Sequence, residues 1–384
     1  MGISSTPPTC LEDLVLVAGA RPNFMKLAPL LRELARRGVP TTLVHTGQHY
    51  GHEMSGVFFE QLRMPSPDVH LEIGSASHGV QTGKIMVAFE EYLSARPAPP
   101  LGVVVVGDVN STMACALVAV KRGVPVAHVE AGLRSFDRTM PEEINRIVTD
   151  SISDLLLVSE PAGLDNLAHE AVPGDRIRYC GNLMIDSLVD QLPAARALNM
   201  PAQLGVKRGE YAVATLHRPS NVDRPERLRE LIMFLQRIDA ELPLVFPVHP
   251  RTEKMLNELG LRDALARDGR ARLTPALGYR EFLGLVDSAR LVVTDSGGIQ
   301  EETTYLGVPC VTLRANTERP VTITRGTNTL VGEDLDRAWT VCASILRDGI
   351  KRAQPIVGWD GHAATRVIDA LVTNWHVSES RCAS

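Results

Sequence analysis

Between His128 and Arg146 the chain reads His-Val-Glu-Ala-Gly-Leu-Arg-Ser-Phe-Asp-Arg-Thr-Met-Pro-Glu-Glu-Ile-Asn-Arg, four carboxylates and three arginines around a glycine turn and a proline. Glu130 ends an apolar run, Val124 to Val129, and Asp108 follows another, Val103 to Val106. Both acids therefore fall at the carboxyl ends of expected buried strands, where open α/β sheets hold ligand chemistry. Carboxylates gathered in one place repel, which raises a pKa and makes one of them a usable base or acid near neutral pH. Plainer roles compete: a helix N-cap for Asp108, and first-turn acids after Pro141 for Glu142 and Glu143. The plain role suits Glu143 best, whereas no helix pattern accounts for Glu130.

Two further stretches have the make-up of anion sites. Thr294 to Glu302 contains Ser296-Gly297-Gly298 between an apolar run and a helix pattern. Glycines there admit close backbone approach, and the N–H groups opening the helix face whatever sits in the turn. An ordinary βα turn with an N-cap serine has the same signature. In Gly19 to Lys26, Arg21 and Lys26 could grip a diphosphate, the one as a bidentate donor and the other as a point charge, or could line a solvated helix face. His217 and His249 each close an apolar run in the second half, where a capping or packing role is the commoner one. The chain has no His-Glu-x-x-His motif, and no metal is expected.

These residues need a scaffold, and the apolar periodicity supplies one. Strand-like runs at Leu14–Ala18, Thr41–His45, Val103–Val106, Val124–Val129, Leu155–Val158 and Ile177–Cys180 alternate with helix patterns. A polar, proline-punctuated region follows, and a second series restarts at Tyr211–Leu216 and runs to Pro309–Leu313. The expected domains are 1–182, 183–354, and a final segment 355–384 whose helix, about Ala363 to Asn374, returns to the first domain. Two doubly wound α/β domains of this kind would place both sets of strand ends on a central cleft. The first βα turn lacks the G-x-G-x-x-G fingerprint of dinucleotide sites. A net charge of −5 gives no basic surface for nucleic acid or an anionic membrane. Six scattered cysteines without C-x-x-C pairs, and no signal peptide or membrane-length apolar run, lead us to expect a cytoplasmic protein.

Jointly, Gly19-Ala20-Arg21-Pro22, Thr46-Gly47-Gln48-His49, Gly107-Asp108, His128 to Arg134, Pro141 to Arg146, His217-Arg218, Thr294 to Glu302 and Thr317-Glu318-Arg319-Pro320 resemble the non-hydrolysing UDP-N-acetylglucosamine 2-epimerases. The motifs run in that family's order from about residue 14 to 332. The resemblance implies a glycosyltransferase-B-type fold of two Rossmann-like domains, a homodimer, and a UDP-sugar substrate with no cofactor. It implies anti elimination of UDP to 2-acetamidoglucal and re-addition with the second carbon inverted. Asp108, Glu130 and Glu142 match the family's catalytic acids, and His217 the histidine that assists the leaving phosphate. Arg21, Lys26, Ser296, Gly297, Gly298 and Arg319 match residues on the nucleotide side. Glu302 matches the ribose-hydroxyl acceptor and Phe282 the aromatic residue near uracil. Arg134 joins the substrate-binding candidates, with a structural pairing as its alternative role. Gln48-His49-Tyr50 and His217-Arg218-Pro219 lack arginines found where many bacterial members bind a second UDP-N-acetylglucosamine as activator, so hyperbolic kinetics are expected. UDP-2,3-diacetamido-2,3-dideoxy-glucuronate is the nearest alternative substrate. A UDP-sugar glycosyltransferase is the alternative activity, against which three clustered acids with no evident acceptor platform argue.

Overall fold

The strand Leu14–Ala18 (β1) is buried on both faces, as a parallel strand covered by helices on each side must be. The helix Arg21–Arg37 leaves it directly and stops at Gly38, whose left-handed φ of 65° suits a glycine C-cap. The same grammar repeats through Thr41–His45 (β2), Val69–His70 (β3), Gly102–Val106 (β4), Val126–Ala131 (β5), Leu155–Val158 (β6) and Ile177–Tyr179 (β7). These strands form a parallel sheet in the order β3-β2-β1-β4-β5-β6-β7. The computed structural model describes residues 13–47, 61–266, 270–349 and 353–375.

Ala212–Thr215 (β8), Leu244–Val248 (β9), Arg272–Pro275 (β10), Leu291–Thr294 (β11), Cys310–Thr312 (β12) and Asn328–Leu330 (β13) make a second parallel sheet, ordered β10-β9-β8-β11-β12-β13. Each sheet is thus a doubly wound, Rossmann-like array. Its strand order reverses between β1 and β4 in the first and between β8 and β11 in the second, leaving a crevice outside the carboxyl ends of those pairs. The chain divides into one compact unit of Met1–Ser187 with Val357–Ser384 and another of Leu188–Ile356.

The final helix, Ala363–Trp375, belongs to the first unit, as the sequence led us to expect. Asp186 accepts from the Ala363 and Ala364 N–H groups at 3.0 and 2.7 Å, satisfying donors that open this helix. The helix also packs on Arg21–Arg37, with an Arg37–Asp369 ion pair at 2.7 Å. Two short strands, β3 and β13, escape the sequence reading because two or three residues carry no apolar run. A further departure concerns β5, which continues to Ala131, so that Glu130 lies within the strand and not beyond it. No helix among the described residues is long and apolar enough to cross a membrane.

Candidate active site

The first unit's reversal point is built around Asn23. Its Oδ1 accepts from the Gly19 and Ala20 N–H groups at 3.0 and 2.9 Å, and its Nδ2 donates to the Val106 carbonyl at 2.8 Å, joining the β1 turn to the end of β4. Gly19 allows this closeness, since a β-carbon there would stand 2.5 Å from Ser111 Oγ. One turn along the helix, Lys26 forms a buried ion pair with Glu130. Both side chains lie over Gly107, whose φ is +69° and where a β-carbon would come within 3.2 Å of Lys26 Nζ and 3.3 Å of Glu130 Oε2.

Glu130 reaches this position through a bulge. Val129 pairs with Leu157 and Ala131 with Val158, so β5 spends one extra residue, Glu130, against β6. Its φ is +73°, a left-handed conformation that costs a non-glycine residue about 1–2 kcal/mol. His128, two residues earlier, contacts Asp150 Oδ1 through Nδ1 at 2.6 Å and the Gly107 carbonyl through Nε2 at 2.8 Å. Asp150 Oδ2 accepts from the Gly132 N–H at 3.0 Å and pairs with Arg134 at 2.7 Å. Burial would raise the Asp150 pKa, but the charges and hydrogen bonds of His128 and Arg134 hold it below the usual carboxylate range.

Asp108 is not a helix cap, since the helix Asn110–Lys121 takes Val109 at that position. Its carboxylate meets Arg146 Nη2 at 2.5 Å, and Arg146 Nη1 meets Glu143 at 2.6 Å. Glu143 also accepts from Ser135 N, Ser135 Oγ and Phe136 N at 2.9 to 3.0 Å, which fastens the loop between β5 and the helix Pro141–Ile152. Glu143 is therefore structural, while Glu142 is half-buried in the same first turn. Arg134, 3% exposed, is held by Asp150, by both oxygens of Glu170 and by the Leu133 carbonyl, which is the structural pairing that stood as its alternative role and which secures the loop.

At the second unit's reversal point His217 follows β8 and Asp295 follows β11. His217 Nδ1 lies 2.9 Å from Asp295 Oδ1. Asp295 also accepts from the His217 and Arg218 N–H groups and from Asn221 at 3.0 to 3.1 Å. Its burial favours the neutral acid, yet the His217 hydrogen bond and charge with the Arg218 and Asn221 donors lower its pKa overall. An ionised aspartate fixes a hydrogen on Nδ1 and leaves Nε2 for chemistry. The ring is 36% exposed, enough to meet a ligand. His249, by contrast, caps the helix Pro250–Glu258 by accepting from the Arg251 N–H at 3.2 Å.

Ser296 opens the helix Gly297–Leu306 without capping it through its side chain, so the hydroxyl and the first N–H groups of the helix share one turn. A β-carbon at Gly297 would lie 3.2 Å from Arg319 Nη1 and 3.8 Å from Arg314 Nη1, so two guanidiniums flank the turn. Glu318 holds Arg314 at 2.6 and 3.1 Å, and Glu301 holds Arg319 at 2.8 Å. A helix N-terminus and two guanidiniums at one turn are the donors that an anion would meet. Glu302, 4% exposed, is pushed up to about 8 by burial, with the Tyr279 hydroxyl opposing and the Glu301 charge adding. Phe282 packs half-buried at the edge of the second unit's core.

The structure thus joins Lys26 to Glu130 at one reversal point, with Asp108 on the adjacent strand. At the other it gathers His217, Ser296, Gly297, Gly298 and Arg319. The Arg21 backbone opens its helix, but the Arg21 side chain and the Gln48-His49-Tyr50 stretch lie outside the described residues. Asp295, Asp150, Arg146 and Arg314 carry contacts that the sequence reading missed. Of these, Asp295 alone had a local signal, as the acid directly after β11.

Two doubly wound units with carboxylates at one reversal point, and a histidine with an anion-binding turn at the other, define an α/β protein of the glycosyltransferase-B-type class. Its relatives narrow that class. The profile of the family described as UDP-N-acetylglucosamine 2-epimerase matches residues 32–372, and the chain belongs to that family. It is 43% identical over 329 residues to a UDP-N-acetylglucosamine 2-epimerase of Methanocaldococcus jannaschii, covering 84% of this chain and 89% of the relative. To the UDP-2,3-diacetamido-2,3-dideoxy-D-glucuronate 2-epimerase of Pseudomonas aeruginosa it is 38% identical over 362 residues, 93% of this chain and 99% of that one. The crystal structure of the Methanocaldococcus jannaschii UDP-GlcNAc 2-epimerase in complex with UDP-GlcNAc and UDP superposes with a TM-score of 0.85 at 39% identity, covering 94% of this chain and all of that one.

Proposed function

We propose that the protein interconverts UDP-N-acetylglucosamine and UDP-N-acetylmannosamine without hydrolysis, eliminating and re-adding UDP through 2-acetamidoglucal. The observation that carries this reading is the placement of Asp108 just after β4 and of Glu130 in the bulge of the adjacent β5, each held by its own cation, Arg146 and Lys26. In the first half-reaction one carboxylate takes the proton from the second carbon, the C1–O bond to phosphate breaks, and a C1=C2 double bond forms. In the second, a proton arrives on the opposite face of the second carbon and the UDP oxygen attacks the first. Nothing is oxidised and no water is consumed. Asp108 and Glu130 serve as the acid–base pair and Glu142 as the supporting acid. His217, oriented by Asp295, assists the phosphate as it leaves, and the Ser296 turn with Arg319 stabilises its charge.

The 43% identity to a relative named for UDP-N-acetylglucosamine, against 38% to one named for the diacetamido glucuronate, favours the former substrate. The scattered, unpaired cysteines suit a protein of the cytoplasm, and the family resemblance implies a homodimer, which sedimentation at the mass of two chains would support. Incubation with UDP-N-acetylglucosamine in deuterium oxide, followed by NMR, tests the reaction. Deuterium at the second carbon together with UDP-N-acetylmannosamine is expected. Stoichiometric UDP with free N-acetylmannosamine would mean a hydrolysing enzyme, and absence of exchange in bound substrate would refute proton chemistry altogether.

A further inference from the structure

One carboxylate holds the peptide on both sides of Glu130. Asp150 Oδ1 takes His128 Nδ1, two residues before the bulged glutamate, and Oδ2 takes the Gly132 N–H, two residues after it. The other ring nitrogen of His128 donates to the carbonyl of Gly107, the residue that precedes Asp108. An imidazole and a carboxylate thereby fasten the segments carrying both candidate acids to each other. Both are fastened in turn to the helix Pro141–Ile152, which carries Arg146, the cation on Asp108. His128 and Asp150 are 0% exposed, so neither can touch a substrate.

The bulge gives this arrangement its purpose. Glu130 sits at φ +73°, and an ordinary strand conformation lies lower in energy. Side chains alternate along a strand, so a shift of one residue in this segment would turn the carboxylate from Lys26 toward the opposite face. We infer that Asp150 and His128 are a positioning pair that holds Glu130 in its bulged conformation and in register with Asp108 for proton transfer. The inference rests on the proposed function.

Removing the carboxylate in Asp150→Ala leaves both sides of the bulge untied. Asp150→Asn can restore them: the amide oxygen accepts from the Gly132 N–H, and the amide nitrogen donates to His128 Nδ1 while Nε2 keeps its hydrogen for Gly107. A misplacement of about 1 Å in a proton-transfer group costs on the order of 100-fold in rate. Turnover in Asp150→Ala should therefore fall at least ~30-fold, with the KM for UDP-sugar and the dissociation constant for UDP within about 3-fold of wild type. Asp150→Asn should recover to within about 5-fold. Equal losses in the two variants, or loss of UDP affinity in step with turnover, would overturn the inference. His128→Leu covers the case in which Asp150→Ala does not fold: it should show the same split between turnover and UDP binding, and wild-type turnover in it would overturn the inference. If wild type itself shows no epimerisation, the proposed function fails; if wild type epimerises and the variants are unimpaired, only the positioning role fails.

Discussion

Glu302 makes nucleoside binding depend on pH in a direction that can be worked out beforehand. Burial raises its carboxyl to about 8, so below that pH the free protein holds it neutral. The resemblance makes Glu302 the ribose-hydroxyl acceptor; if each of its two oxygens accepts one hydroxyl of the diol, it binds as the carboxylate, because a neutral acid carries its proton on one of those oxygens. Binding then requires loss of a proton. The apparent dissociation constant scales as one plus ten to the power of 8 minus pH, which rises about 50-fold from pH 8 to pH 6, or about 2 kcal/mol. Uridine is the ligand of choice: it carries the diol, and its lack of phosphate leaves the His217–Asp295 pair out of the measurement. Isothermal titration calorimetry at pH 7 in buffers of differing ionisation enthalpy should count close to one proton released, and Glu302→Gln should abolish the pH dependence. Affinity constant within about 3-fold from pH 6 to 8, or proton uptake on binding, would refute the role. Without ligand the sign reverses. The folded-state pKa lies above the ordinary 4.5, so this group's stabilisation is fully present below pH 4.5 and is lost as pH rises through about 8.

Other expectations follow from individual contacts. Asp108→Asn and Glu130→Gln should each lower turnover at least ~100-fold while UDP still binds, and near-wild-type rates in either would remove that residue from the acid–base pair. Asp295→Asn should cost turnover at least ~10-fold, since the amide can present a donor to His217 Nδ1 and favour the wrong tautomer; an unchanged rate would deny His217 its dependence on Asp295. Gly132→Ala would force a β-carbon to within 2.4 Å of the Gly163 carbonyl oxygen at a φ of +80°, so thermal unfolding should show a loss of at least ~2 kcal/mol. Initial rates with UDP-N-acetylmannosamine alone should be hyperbolic, and a requirement for added UDP-N-acetylglucosamine would show that an activator site survives without the two arginines.

What could be read from the sequence depended on how far apart the interacting residues lie. Buried parallel strands announce themselves as short apolar runs, so Leu14–Ala18 and Leu291–Thr294 were legible as strands, and the acids and turns that end such runs followed at once. The bulge at Glu130 was not legible, because a left-handed residue is normally signalled by glycine and glutamate gives no such sign. Asp295 stands beside Ser296 in the sequence, but its partner His217 is 78 residues away and meets it only because β8 and β11 are neighbours. The partner of Arg134 was hidden for the same reason: the Glu170 that holds it lies 36 residues on, beyond two helices and a strand.

The two units use one rule with different residues. In the first, the β1 turn brings Lys26, the β4 end brings Asp108, and β5 brings Glu130 beside them. In the second, the β8 end brings His217 and the β11 end brings Asp295 and the Ser296 turn. Apart from Glu130, which β5 brings in from one strand further along, both sets come from the strands flanking the reversal of order, where successive connections part to opposite sides and leave the strand ends uncovered. That placement lets polar groups remain accessible next to sheets whose strands are otherwise apolar. It also explains how a chain of net charge −5 can present an anion site. The charge is local, from a helix N-terminus with Arg314 and Arg319, and two buried glutamates hold those arginines in place. Neutralising either glutamate should therefore disturb diphosphate binding through the position of its arginine, more than through the change in overall charge.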